Sequence, residues 1–131
     1  LNKNKNIKLG NLQPSRDYTF VKDTCDAIYQ LGKIKNNGKG QIFNIGNKKS
    51  YKIIQIAKKI KKIMKSNINI KSDKNRIRPS KSEVDNLKCE NKKIKKFCKW
   101  KSKYSFDKGL EETIQWFKLN KDKISSNKYT I

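Results

Sequence analysis

The chain has 131 residues, of which 34 are Lys or Arg against 11 Asp or Glu, for a formal charge of +23 at pH 7. A hydrophobic fraction of 34% and a mean hydropathy of −0.99 supply apolar side chains for a small core only, so the sequence reads as part of a domain. Cys25, Cys89 and Cys98 form no CxxC pair and no histidine accompanies them, which argues against a structural zinc site or a disulfide framework.

The N-terminus, LNKNKNIK, lacks the apolar centre of a signal peptide, and no apolar run is long enough to cross a bilayer, so a reduced, cytoplasmic setting is expected. The first residue is leucine, as expected of a chain that begins partway through something larger. In chain order, Asp23 or Thr24 is expected to cap a short helix carrying Ala27, Ile28 and Leu31 on one face, with Gly32 at its exit. A polar turn, KIKNNGKG, leads to QIFNIG (41–46), a β-favouring segment bounded by glycines. Ser50 is then expected to cap a second helix. Ile53, Ile56, Ala57, Ile60, Ile63 and Met64 recur there at three- and four-residue spacing, with Lys52, Lys58, Lys59, Lys61 and Lys62 mostly off that stripe. Residues 67–73 read as a strand. A short helix near 91–97, Trp100 and a helix over 106–119 with Leu110, Ile114 and Phe117 on one face complete the pattern, and residues 121–131 are expected to be a flexible tail. Short strands alternating with helices make the fold class α/β.

The arginines are the most selective feature. Arg16, Arg76 and Arg78 fall in two stretches, LGNLQPSRDYTFVKD (9–23) and RIRPSKSEVDNL (76–87), and all other basic residues are lysine. A guanidinium is a rigid planar fork that binds phosphate or carboxylate bidentately, whereas an ammonium is a mobile point charge, so arginine retained in a lysine-saturated chain implies a geometric demand. The lysine excess itself has a compositional explanation, since Lys, Asn and Ile share A/T-rich codons. No RNP-type aromatic cluster, zinc-finger spacing or basic heptad accompanies it, so no specific nucleic-acid recognition is expected. A small polycationic protein that binds nucleic acid or an anionic surface is the competing class.

The ordered residues Leu9-Gly10-Asn11-Leu12, Arg16-Asp17, Phe20-Val21-Lys22-Asp23, Gly40 to Gly46, Arg78-Pro79, Ser82-Glu83-Val84-Asp85, Trp100, Gly109-Leu110 and Ile114-Gln115-Trp116-Phe117 resemble the C-terminal segment of extended short-chain dehydrogenase/reductases. The resemblance is to the nucleotide-sugar 4,6-dehydratase/epimerase family. It implies that residues 1–120 are part of a substrate-binding C-terminal region of a Rossmann-type enzyme, with a terminal strand of the Rossmann sheet near 41–46 and the N-terminal dinucleotide-binding domain absent from this sequence. Arg16 and Arg78 match arginines that face the diphosphate of a nucleoside-diphosphate sugar. Glu83 is similar to a carboxylate that accepts ribose hydroxyls, although Ser80-Lys81-Ser82 lengthens the spacing relative to an RPTEVD pattern. Leu9, Gly10 and Asn11 match a nucleotide-side wall. Read without the resemblance, Arg16 would pair locally with Asp17, and Arg78 would fix a turn.

The resemblance further implies NAD or NADP in the intact enzyme, with a glycine-rich phosphate turn and a catalytic Tyr-x-x-x-Lys pair. Gly38, Gly40 and Gly46 do not have that spacing. Tyr29 with Lys33 and Tyr104 with Lys108 match the second pattern formally, at the frequency expected by chance in so lysine-rich a chain. Neither cofactor binding nor turnover is therefore expected of this segment alone. The intact relative is expected to be a homo-oligomer with no membrane partner.

Overall fold

The computed structural model describes residues 5–34, 40–77, 79 and 83–123. Among the described residues, two small sheets are laced through four α-helices. In the first, β1 (Asn6–Leu9) pairs in parallel with β4 (Asn69–Ser72), Asn6 opposite Asn69 and Leu9 opposite Ser72. In the second, β2 (Ser15–Asp17) is central: it runs antiparallel to β3 (Ser50–Lys52) and parallel to β5 (Asn86–Leu87). The helices are α1 (Val21–Gly32), α2 (Ile53–Ile63), α3 (Lys92–Cys98) and α4 (Phe106–Leu119).

Helix α1 begins ahead of the expected caps. Asp23 lies within its first turn and is only 1% exposed. Its carboxylate accepts the Ser102 hydroxyl at 2.7 Å and the backbone N–H groups of Lys103 and Tyr104 at 2.8 and 3.2 Å, so it ties α1 to the segment before α4. A carboxylate spent on distant donors cannot serve the near ones, which is why it is an anchor and not a cap. Ser50 is likewise no cap. It belongs to β3, which runs directly into α2, and the first N–H groups of α2 donate to the chain before β2: Ile53 to Pro14 and Ile54 to Leu12, both at 3.1 Å. The Lys52 N–H donates to the Gln55 side-chain oxygen at 2.8 Å, filling the remaining role.

Ala27, Ile94 and Trp100 form the buried centre, with Leu31, Phe43, Ile45 and Cys98 packed against it and Phe43 against Phe97 at 4.7 Å between ring centroids. Ile28, expected on the inner face of α1, is instead 61% exposed: Ala27 and Leu31 point inward with Asp23, and a residue adjacent to Ala27 falls about 100° around the helix. The isoleucine stripe of α2 is half-buried and contributes no residue to the core. On α4, Ile114 is buried and Leu110 half-buried, but Phe117 is exposed. Gly109 permits the close approach of α4 to the start of α1, since a Cβ there would lie 2.9 Å from the Phe20 Cβ. Residues 41–46 were expected as a strand, but they form no ladder with any of the described residues. Their side chains alternate all the same, Phe43 and Ile45 inward and Ile42 outward at 80% exposure.

Candidate functional site

The two arginine-bearing stretches meet across the β2–β5 ladder. Ser15 stands opposite Asn86 and Arg16 opposite Leu87, and the Ser15 N–H donates to the Asp85 carbonyl at 2.7 Å. This register brings Arg16 to the residues just before β5. Its Nη2 donates to Glu83 Oε1 at 2.7 Å, and its Nη1 donates to the carbonyls of Ser15, at 2.9 Å, and Val84. Both side chains of the ion pair are partly buried. Arg16 therefore has a carboxylate partner 67 positions away, and the local pairing with Asp17 is not made.

Asp17 has a different task. The Asn47 N–H donates to its Oδ1 at 3.0 Å, and the N–H groups of Lys48 and Cys89 donate to Oδ2 at 2.8 and 3.2 Å. One carboxylate thus clamps the end of β2 to two other segments and fixes the strand that presents Arg16. Lys48 adopts φ 60° in this junction. The same environment acts on neighbouring groups: burial, reinforced by Asp17 and Glu90, raises the Cys89 thiol above its ordinary pKa, with Lys48 opposing. Burial also raises the Tyr18 phenol, and the Arg16 charge offsets part of that rise.

Leu9, Gly10 and Asn11 form the turn out of β1. The Leu9 carbonyl accepts the Asp73 N–H at 2.6 Å, and the Gly10 carbonyl accepts the Ser72 hydroxyl at 3.0 Å. A Cβ on Gly10 would lie 2.4 Å from the Arg76 carbonyl oxygen, so glycine is required there for close passage of two backbones. Asn11 Oδ1 accepts the Gln13 N–H at 3.1 Å. These hydrogen bonds join the first stretch to the start of the second around Arg76, which also donates to the Lys8 carbonyl and lies 3.7 Å from Asp73. Arg78 lies outside the described residues. Arg16 and Glu83 are thus brought into contact, whereas Leu9 and Gly10 are joined to the 72–76 segment. Sequence reasoning missed Asp17 and Asp23 as organisers. Their signal was scarcity: each is one of only 11 acidic residues, and each sits inside the arginine-bearing stretch 9–23.

The glycines do not fit a dinucleotide phosphate turn. Gly10 packs on Arg76, Gly46 is pressed against the Cys89 side chain and Gly109 against Phe20, while Gly32 ends α1 and Gly40 stands in open space at φ 73°. None of these lies at a strand-to-helix turn with its N–H groups free for a phosphate; Gly38 is outside the described residues. Among the described residues there is also no cluster of His, Cys, Asp or Glu able to hold a metal ion. No described helix is long and apolar enough to cross a membrane. An apolar cleft of 420 Å³ lined by Tyr18, Phe20, Ile56, Phe106 and Leu110, among others, includes neither Arg16 nor Glu83.

Solved structures share this fold. An epimerase of Methanothermobacter thermautotrophicus superposes with a TM-score of 0.77 at 23% identity, over 89% of this chain and 33% of its own. UDP-glucose 4-epimerase of Thermotoga maritima, solved with UDP-glucose, gives 0.76 at 23% identity over 88% and 35%. dTDP-glucose 4,6-dehydratase of Bacillus anthracis, in complex with NAD, gives 0.69 at 24% identity over 92% and 36%. The class is therefore the mixed α/β fold that these epimerases and this dehydratase share. Within it, the chain belongs to the GDP-mannose 4,6 dehydratase family, whose profile matches residues 1–113. It is 31% identical over 113 residues to an uncharacterized protein of Methanocaldococcus jannaschii, covering 86% of this chain and 32% of that one. It is likewise 31% identical over 113 residues to UDP-N-acetyl-alpha-D-glucosaminuronate decarboxylase of Bacillus cytotoxicus, covering 83% and 34%. The chain spans about a third of the length of these curated relatives.

Proposed function

We propose that this chain is the nucleotide-sugar-binding portion of an NAD(P)-dependent sugar-nucleotide dehydratase or epimerase, with Arg16 as a diphosphate ligand. The observation that supports this most is the meeting of Arg16 and Glu83, drawn from two distant stretches, on a strand that Asp17 fixes at its far end. Family membership supports a nucleotide sugar as the substrate class. A structured arginine gives what a lysine surface does not, namely donors held in a fixed geometry before the anion arrives. Arg78 is assigned to the same diphosphate, and Leu9, Gly10 and Asn11 to the nucleotide side. None of the described glycine environments resembles a dinucleotide phosphate turn, so turnover of a nucleotide sugar is assigned to these residues acting together with a dinucleotide-binding domain.

Titration calorimetry at physiological salt tests this reading. UDP-glucose and GDP-mannose are expected to bind more tightly than the corresponding nucleoside monophosphates, and Arg16→Lys, which keeps the net charge, is expected to remove that preference. Equal binding of mono- and diphosphates, unaffected by Arg16→Lys and abolished by added salt, would show that the +23 charge alone does the binding. Selective, salt-resistant binding of a nucleic acid would place the protein in the competing polycationic class.

A further inference from the structure

We infer that Glu83 is a positioning residue that holds the Arg16 guanidinium in register for a diphosphate, and is not itself a ligand of the substrate's hydroxyl groups. This rests on the reading of Arg16 as a diphosphate ligand. A guanidinium carries five N–H donors in one plane. In Arg16, Nη1 meets the carbonyls of Ser15 and Val84, and Nη2 meets Glu83 Oε1 at 2.7 Å. Among the described residues no hydrogen bond engages the Nε–H or the second Nη2 hydrogen, which leaves two donors of the group for an anion. The bound donors fix the plane of the group, because acceptors on β2 and on the chain leading into β5 hold it from two sides.

Of those acceptors only Glu83 is a side chain, so it alone can be changed without altering the backbone. It is also the only charged one. Its carboxylate is partly buried beside Arg16, where removing one partner of a pair leaves the other free to rotate and partly unsatisfied. An arginine released in this way must be immobilised again by each incoming anion, which weakens binding. A contrary possibility is that Glu83 occupies Arg16 as a surrogate anion and competes with the diphosphate. The two predict opposite signs for the same substitution.

The experiment uses the full 131-residue chain, ¹⁵N-labelled, at physiological salt. With only Arg16, Arg76 and Arg78 present, the Nε–H region holds three arginine cross-peaks, which Arg16→Lys assigns. Sodium pyrophosphate is expected to shift the Arg16 Nε–H resonance in the parent. Glu83→Gln, which keeps an acceptor for Nη2 but removes the charge that holds the guanidinium, is expected to weaken that response about tenfold. Arg16→Lys/Glu83→Gln is expected to bind pyrophosphate no more weakly than Arg16→Lys, because a positioning residue has nothing left to position. Binding of guanosine and uridine, which have ribose hydroxyls and no phosphate, is expected to be unchanged by Glu83→Gln. Glu83→Asp, which keeps the charge, should retain part of the response and covers the case in which the glutamine variant folds poorly.

The inference is overturned if Glu83→Gln binds pyrophosphate as tightly as the parent or more tightly, or if it loses nucleoside affinity by the same factor. If Arg16→Lys leaves pyrophosphate binding intact, the diphosphate reading of Arg16 fails first, an outcome distinct from a silent Glu83→Gln in a chain where Arg16→Lys is damaging.

Discussion

Replacing Asp23 by Asn should destabilise the chain by about 2 kcal/mol, the loss of one hydrogen bond to a charged group together with the exposure of an unmet donor. Asp23 Oδ2 accepts from the Ser102 hydroxyl and the Tyr104 N–H, and Oδ1 from the Lys103 N–H. An asparagine can keep its oxygen at the first position, but its NH₂ then faces the Lys103 N–H, donor against donor. The side chain is isosteric and almost fully buried, so neither volume nor solvent relieves the conflict. With a urea dependence of ~2 kcal/mol per molar, the midpoint should fall by about 1 M. Trp100, 1% exposed in the core, reports the transition once the exposed Trp116 is changed to Phe to remove its background. Asp23→Ala should cost more, since three donors lose their acceptor. A midpoint for Asp23→Asn within about 0.2 M of the parent would refute the reasoning, because it would mean that water or a relaxed loop satisfies Ser102, Lys103 and Tyr104 at no cost.

Lys99 ends α3 in the left-handed region, at φ 56° and ψ 17°, so Lys99→Gly should raise stability by about 0.5–1 kcal/mol, read as an upward shift in the urea midpoint. Cys25 is exposed, whereas the Cys89 thiol is partly buried and raised by that burial and by Asp17, so iodoacetamide near pH 8 should alkylate Cys25 well before Cys89, as mass spectrometry of timed digests would resolve. Lys22 and Lys103 are both raised, chiefly by hydrogen bonds to Glu112 and Asp26, so their contribution is fully present below their ordinary 10.5 and is lost as pH rises through the higher folded values. Thermal melts from pH 9 upward should show that alkaline decline, and Glu112→Gln should flatten the part belonging to Lys22; a melting temperature indifferent to pH across that range would contradict the assignment.

The elements legible in the sequence were those with a local cause. The strand at 69–72 fell within the 67–73 stretch, and α3 and α4 matched the expected ranges closely, because capping, periodicity and apolar spacing all act within a few residues. The strands β1, β2, β3 and β5 were not visible. They are two to four residues long, SRD and NL among them, and carry no alternation of their own; they are strands because another segment lies beside them. Misreading of the two helix starts has one origin. Asp23 and Ser50 are good caps in isolation, but distant donors claim the first and a ladder with β2 claims the second. At the site, residue type carried the signal and distance hid the partner. Arg16 and Glu83 could each be singled out from the sequence, yet nothing local in either stretch states that they touch.

The charge of the chain separates into two populations with different physics. Most lysines stand at the surface, where an ammonium keeps its hydration and contributes little to any specific contact. The few acids are distributed otherwise. Asp17 and Asp23 each gather donors from distant segments, Glu83 holds Arg16, and Glu112, Asp107 and Asp26 join α4, α2 and α1 to partners on other elements. In a chain carrying +23, each carboxylate is surrounded by attractive fields from every direction, so charge attraction alone cannot specify which cation it meets. Backbone N–H groups and a planar guanidinium can, because their donors are directional. That is why the carboxylates of Asp17, Asp23 and Glu83, which tie distant segments together, face peptide groups, the Ser102 hydroxyl and Arg16.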